Sequence, residues 1–524
     1  MDGTRLRTDL LDLEPYDPDM RPVEVMLSAN ENNYGLPASV RAELARRLAD
    51  EPLNRYPEAT SPRVRTLLAR MWGVEPAGIV VGNGGDELIF NLLLAFGGPG
   101  RALVNCPPTF SAYELYARLT QTPVVDVPRR PDFSLDEPAV LAAAQCDEAA
   151  IVVLTSPNNP SGNLGRVNFV RALAQASDAL IVVDEAYGEF CAPEASCVPL
   201  VAEYPNVCVL RTLSKAYALA GARLGYVICG AQVADGLLAV RQPYSVSRLD
   251  QLAAEVVLEH RAEMQPAVEA IVAERSRLTA KLRALAAEVA IAADPGRDAN
   301  PSASPAGPVA SDVNAAAESV AAVAGGPAVE ASSAVGVSTG HDTPVAHGFV
   351  ADATTSADPA GSRIDVYDSE ANFVLVRFPE SEAPAGVSFG RPGSSESGVS
   401  SNGPARPELA APVSARQLPS ADEIHERLAA ASVLVRNFSH APGLRGCLRV
   451  SVGRPEETDR LIARLREILG LPPEPAPTAV HAPTSAPELA PTPEAEPASV
   501  LEPAPGAELA PESAAAPTAP TTKE

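Results

Sequence analysis

Lys215 lies in R-T-L-S-K-A-Y-A-L-A-G-A-R-L-G (211–225), with the hydroxyls of Thr212 and Ser214 just before it and Arg223 eight positions after it. Short hydroxyls and a guanidinium suit a phosphate, and a lysine among them suits an aldehyde. Pyridoxal phosphate carries both groups, so this one segment could hold its phosphate and bond its reactive carbon. Taken alone, a surface lysine at a helix start would explain Lys215 equally well.

Three other segments carry chemistry that fits the same molecule. In V-G-N-G-G-D-E-L-I-F (81–90) a strand ends, Gly84 and Gly85 follow, and a helix is expected from about Asp86. Free backbone N–H groups at a helix start attract an anion, although a plain strand-to-helix turn also reads this way. In T-S-P-N-N-P-S-G (155–162) Asn, Pro and Gly make a turn, and Asn159 could donate to a phenolate oxygen. In L-I-V-V-D-E-A-Y (180–187) Asp184 ends an apolar strand, which would leave its carboxylate partly buried and in need of a cation. A pyridinium nitrogen is such a cation, and a protonated ring is an electron sink. Tyr187 could bond the ring's oxygen. A strand-end Asp that caps a helix is the competing reading.

The elements around these motifs alternate. Short apolar runs at 79–81, 102–105, 124–127, 151–154, 180–183, 208–210 and 226–229 read as strands, and amphipathic stretches such as 87–96, 112–119 and 167–176 read as helices. This pattern predicts an α/β fold, with a mostly parallel seven-stranded sheet flanked by helices. The motifs fall where such sheets bind ligands, beyond the carboxyl ends of strands. A long helical pattern over 249–289, broken at Pro266, would lead into a small α+β domain.

Composition sets the outer limits. The chain has 524 residues, 52 prolines and a formal net charge of −25, a poor balance for nonspecific nucleic-acid binding. The seven cysteines form no C-x-x-C pair and read as thiols in a reducing, cytoplasmic compartment. No apolar run reaches the ~18 residues of a membrane span, and no apolar signal core follows Met1. No metal site is apparent among six scattered histidines.

Three stretches rich in Ala, Pro, Ser and Glu cannot bury enough apolar area to offset the entropy of ordering. The expected organisation is therefore an N-terminal segment packing on the small domain (1–28), a large cofactor-binding domain (29–248), a connecting helix (249–292), and a small domain in pieces (363–378 and 420–471). Disordered insertions (293–362 and 379–419) interrupt the small domain and loop out from it, and a disordered tail (472–524) follows.

In order and type, these motifs resemble those of the fold-type-I pyridoxal-phosphate aminotransferases, over the whole globular part of the chain. The histidinol-phosphate aminotransferase family is the nearest resemblance. It is carried by L-S-A-N-E-N-N-Y-G (27–35), N-R-Y-P-E (54–58), P-P-T-F-S-A-Y (107–113), P-Y-S-V-S (243–247) and L-V-R-N-F…G-C-L-R-V-S-V-G (434–453), together with the segments above. The resemblance implies that Lys215 bonds the cofactor and that Asp184 pairs with its ring nitrogen. Asn159 and Tyr187 would contact the ring oxygen, and Phe110 would stack on the ring. The amides of Gly85 and Asp86, with Thr212, Ser214 and Arg223, would hold the phosphate. Tyr56 would reach that phosphate from the other subunit of a homodimer. Arg436 and Arg449 would bind the substrate's acidic groups, with Tyr16 and Asn30 also at the substrate.

The implied reaction is transamination between L-histidinol phosphate and 2-oxoglutarate, with ping-pong kinetics, in histidine biosynthesis. Two relatives of the same fold remain open as alternatives. One is an aminotransferase for aromatic or other amino acids, and the other a phosphoamino-acid decarboxylase. A regulator that keeps the fold as a ligand sensor would need a DNA-binding module, and no basic helix is found for one.

Overall fold

The computed structural model describes residues 7–11, 13, 19–293, 363–379 and 418–474. Tyr16 lies outside the described residues, and so do nearly all of the expected insertions and tail. In chain order the strands are β1 (Val25–Leu27), β2 (Ile79–Asn83), β3 (Ala102–Asn105), β4 (Val124–Asp126), β5 (Ala149–Thr155), β6 (Leu180–Asp184), β7 (Val207–Thr212), β8 (Leu224–Ile228), β9 (Asp365–Val366), β10 (Phe373–Arg377), β11 (Val433–Asn437) and β12 (Cys447–Ser451).

Seven of these form one sheet in the order β2-β8-β7-β6-β5-β3-β4. Every neighbouring pair is parallel except those made by β8, which runs antiparallel to β2 and β7. Successive side chains of a strand face opposite sides, and here both sides are apolar. Val152, Leu154, Ile181 and Val183 enter one core; Ile151, Val153, Leu180 and Val182 enter the other. A strand buried on both faces reads as an unbroken apolar run, which is why 180–183 is Leu-Ile-Val-Val. Each such side chain contributes about 1.5–3 kcal/mol by leaving water.

The second sheet has the order β1-β11-β12-β10-β9. β1 joins it by pairing parallel to β11, Val25 opposite Val433, and the remaining pairs are antiparallel. Helix Ala421–Ala430 starts at Ser420, whose hydroxyl accepts the Glu423 N–H at 3.2 Å. At the chain start, Arg7 donates to the Leu119 carbonyl and Arg118 to that of Asp9, so residues 7–9 lie on helix Ala112–Leu119. Arg21, by contrast, pairs with Glu426 beside the second sheet.

Two helix boundaries differ from expectation. The long helical pattern breaks at His260, between helices Arg248–Glu259 and Arg261–Ala293, and continues through Pro266. The His260 carbonyl accepts the Glu263 N–H at 2.9 Å and its ring meets Glu263 Oε1 at 2.8 Å, which starts the second helix there. Pro266 lies early enough in that helix that its missing N–H removes only one bond near the end. The helix expected from about Asp86 begins at Gly84, because Glu87 reaches back and accepts the Asn83 N–H.

Candidate active site

The fold brings five segments to one edge of the large sheet. Thr155, Asp184 and Thr212 end the parallel strands β5, β6 and β7, and Asn83 ends β2. β8 runs the other way, so the residue before it, Arg223, arrives at the same edge. Together with the second sheet they enclose a cleft of about 260 Å³.

At one end of the cleft lie Gly85, Asp86, Thr212, Ser214 and Arg223. Helix Gly84–Phe96 points its start here, and Arg223 donates to Asp86 Oδ2 at 2.8 Å. Gly84 has φ +79°, and a Cβ on it would meet Arg223 Nη2 at 2.6 Å, so only glycine lets the guanidinium lie against the helix start. The Thr212 hydroxyl is 2.9 Å from Ser214 Oγ and accepts the Ser214 N–H at 3.1 Å. Helix amides, two hydroxyls and a guanidinium make an anion cradle.

In the middle of the cleft stands Asp184, only 4% exposed. Tyr113 donates its hydroxyl to Asp184 Oδ2 at 2.6 Å, and the Ala186 N–H donates to Oδ1 at 3.0 Å. No described lysine or arginine forms an ion pair with it. Burial pushes its carboxyl up to about 6 against those two hydrogen bonds, and the charges of Asp86 and Glu185 add to the rise. The expectation of partial burial is thus corrected to full burial, with a tyrosine as the protein partner. Phe110 lines the cleft and packs edge-on to Tyr113, ring centroids 5.7 Å apart. Tyr187 is buried, receives the Asn30 amide on its hydroxyl at 3.0 Å, and packs edge-on to Phe373.

Lys215 lines the same cleft and donates Nζ to the Ala29 carbonyl at 3.0 Å. Desolvation, then repulsion from Arg449 and Arg223, bring the amine down to about 8, while Glu31 and Asp86 oppose the fall. A lysine with that value is in part a neutral nucleophile near neutrality.

The second sheet closes the cleft with Arg436 on β11 and Arg449 on β12, which stand directly opposite one another in the strand register. Arg449 is buried between the rings of Phe373 and Phe438, each centred 5.3 Å from its guanidinium carbon. It donates to Asn159 Oδ1 at 2.5 Å and to the Ser28 carbonyl at 2.6 Å. Asn159 therefore gives its oxygen to Arg449, which leaves its amide N–H groups as the donors expected of it. Asn30 has φ +54° and is clamped on all sides. Its N–H and side-chain oxygen both meet Ser451 Oγ, and its carbonyl accepts from Asn372 at 2.9 Å.

Tyr56 is not in this cleft. It is 84% exposed and stacks on Tyr244 at 4.8 Å. Residues without an expected role also line the cleft, among them Asp19, Met20, Thr155 and Arg211. Arg211 is buried against Glu185 and Glu189 and over the Trp72 ring. Tyr113 fell within a recognised string, and nothing in its type disclosed a contact to residue 184. Among the described residues, no group of three or more His, Cys, Asp or Glu could hold a metal ion, and no helix is long and apolar enough to cross a membrane.

A buried carboxylic acid with a raised value, an anion cradle and a lysine with a lowered value fit the ring nitrogen, phosphate and aldehyde of pyridoxal phosphate. Residues 23–297 match the family described as aminotransferase class I and II. The chain belongs to this family. It is 41% identical over 273 residues to histidinol-phosphate aminotransferase 1 of Carboxydothermus hydrogenoformans, covering 52% of this chain and 77% of that one. Against the histidinol-phosphate aminotransferase of Thermococcus gammatolerans it is 41% identical over 274 residues, 52% of this chain and 78% of the relative. In fold it is similar to the crystal structure of histidinol-phosphate aminotransferase from Sinorhizobium meliloti in complex with pyridoxal-5'-phosphate. That match has a TM-score of 0.62 at 22% identity and covers 90% of this chain and 98% of the other.

Proposed function

We propose that this aminotransferase uses pyridoxal 5'-phosphate to move an amino group between L-histidinol phosphate and 2-oxoglutarate, giving imidazole-acetol phosphate and glutamate. The observation that carries the reading is the 41% identity to two histidinol-phosphate aminotransferases, over 273 and 274 residues. When bound, the cofactor supplies an electron sink for the substrate's Cα carbanion.

The side chains divide the work. Gly85 and Asp86 offer helix amides to the phosphate, with Thr212, Ser214 and Arg223 around it. Asp184 would keep the ring nitrogen protonated, Asn159 and Tyr187 would contact the ring oxygen, and Phe110 would stack on the ring. Lys215 would hold the cofactor through its aldehyde, and its Nζ would serve as general base and then general acid toward the substrate's Cα proton. Its lowered value supports this role. Arg449 and Arg436 bind the acidic groups of the two substrates in turn, with Asn30 beside them; Tyr16 is the remaining residue assigned to the substrate.

A homodimer is part of the proposal. Tyr56, exposed and outside its own cleft, is the residue that would reach the phosphate of a second copy. The cofactor domain spans 29–248, with 363–378 and 420–471 in the substrate domain. A reducing, cytoplasmic setting is supported by the seven cysteines, none of which forms a disulfide.

Purified protein offered histidinol phosphate, phenylalanine and aspartate, each against 2-oxoglutarate, tests the donor. Histidinol phosphate is expected to give the highest kcat/KM. A preference for phenylalanine would move the reading to an aromatic aminotransferase, and release of carbon dioxide without a 2-oxo acid would move it to a decarboxylase.

A further inference from the structure

Ser451 lies on β12, two residues after Arg449. It is only 2% exposed and is not among the residues that line the cleft. Its hydroxyl meets Asn30 twice. The Asn30 backbone N–H donates to Ser451 Oγ at 2.8 Å, and Ser451 Oγ stands 3.0 Å from Asn30 Oδ1. Among the described residues Ser451 Oγ makes no other hydrogen bond. The other end of the Asn30 side chain reaches Tyr187, with Nδ2 3.0 Å from Oη. All three bonds are buried, and together they tie the second sheet to the segment that follows β6.

The direction of this chain is settled at Ser451. A backbone N–H can only donate, so Ser451 Oγ accepts it and keeps one proton to give. Asn30 Oδ1 takes that proton. With the Asn30 amide turned round, its N–H would fill the second lone pair of Ser451 Oγ, and the serine proton would face no acceptor. A buried donor without an acceptor is costly, so the amide presents oxygen to Ser451 and N–H to Tyr187. Tyr187 Oη accepts that N–H, which leaves its own proton for the cleft that Tyr187 lines. With the amide reversed, Tyr187 would spend its proton on Asn30 and face the cleft as an acceptor only.

We propose that Ser451 is a positioning residue: by fixing the Asn30 amide it makes Tyr187 a hydrogen-bond donor to the cofactor's ring oxygen. The inference rests on pyridoxal phosphate being the cofactor. It has a consequence for the bond between Lys215 and the cofactor. When that bond loses its proton, the ring oxygen no longer shares its negative charge with it, and a donor on the oxygen counts for most in that form. A donor at Tyr187 therefore lowers the pH at which the proton leaves. The charged groups around Tyr187 are Arg449, Asp184, Asp86 and Lys215, whose Nζ is 5.9 Å from the ring centre. A neutral substitution at Ser451 adds no charge to them.

The test is a pH titration of visible absorbance in the full-length chain loaded with pyridoxal phosphate. Tyr187→Phe is expected to raise the midpoint by about one unit, because it removes a hydrogen bond to a charged oxygen. Ser451→Ala should raise it by about half a unit or more, because the amide is then free to turn. Ser451→Thr, which keeps the hydroxyl, should leave it in place. With Ser451→Ala and Tyr187→Phe combined, the midpoint should equal that of Tyr187→Phe alone. A loosened β12 that acted through Arg449 would instead add its shift to that of Tyr187→Phe. If Ser451→Ala does not fold, Ser451→Cys keeps the volume with a weaker donor and should also move the midpoint upward. A midpoint that is unchanged or lower in the serine variant, or shifts that add in the double variant, overturns the positioning role. A chain that gains no visible absorbance with pyridoxal phosphate overturns the cofactor reading itself.

Discussion

The two walls of the cleft treat charge in opposite ways. On the large-sheet wall, cations face carboxylates of their own: Arg223 meets Asp86, and Arg211 is buried against Glu185 and Glu189. On the small-sheet wall, Arg436 and Arg449 face each other across β11 and β12. Like charges directly opposite one another repel, so this pairing favours an anion beside them. Cations held by carboxylates suit a group that stays; two arginines brought into register on neighbouring strands suit anions that come and go. A ping-pong aminotransferase needs one of each.

The largest effect is expected from Lys215→Ala, which should abolish transamination, a loss of at least the ~10²–10⁴-fold that general acid–base groups supply. The visible absorbance of lysine-bound cofactor should vanish with it. Activity close to wild type would remove Lys215 from the chemistry and leave the large-sheet wall without a purpose.

The next effect sets the walls apart. Arg449→Ala should cost about 2–5 kcal/mol in kcat/KM for both substrates, as loss of a buried charge partner does. Cofactor affinity should barely change. Arg436 is less buried, and its alanine variant should cost about 1 kcal/mol. If either variant lost the cofactor instead, the division of labour between the walls would be wrong.

The smallest effect couples the walls. Lys215 titrates near 8 partly because Arg449 repels its charge. The rate at which cofactor-free chain captures pyridoxal phosphate should therefore climb as pH rises through about 8, and Arg449→Met should move that midpoint upward. The same shift bears on stability. The folded value lies below the ordinary 10.5, so the unfolded chain holds more protons between about 8 and 10.5, and stability attributable to Lys215 rises across that window. Denaturant melts at pH 8 and 10 would show the rise shrink in Arg449→Met.

Much of the large-sheet wall was legible because its chemistry lies at the ends of unbroken apolar runs. Asp184 follows Leu-Ile-Val-Val, and Thr212, Ser214 and Lys215 lie in or just after β7. The rest was hidden for physical reasons. Ser28 and Ala29 act through backbone carbonyls, which every residue carries, so their types say nothing of Arg449 or Lys215. Tyr113 reaches Asp184 across 71 positions, a distance that no local pattern spans. Pro266 was read as a helix breaker because position within the helix, which decides its cost, follows from where His260 ends the helix before it. The small-sheet wall was legible in its pieces, 363–378 and 420–471, and in its two arginines; the order in which its strands pair was not, since they come from segments far apart in the chain.

That wall also has a history in time. β1 ends at Leu27 and leads straight into Ser28, Ala29 and Asn30, whose three carbonyls receive Arg449, Lys215 and Asn372 in turn. Its neighbour in the sheet begins 408 positions later (433 − 25 = 408), Val25 pairing with Val433. On the ribosome, one of the first strands to emerge must wait for almost the last before it can be paired. Until then its backbone groups and apolar side chains are open to other strands, the condition under which nascent chains depend on chaperones. The chain thus cannot bring Lys215 and Arg449 to the segment that follows β1 until β11 and β12 have been made.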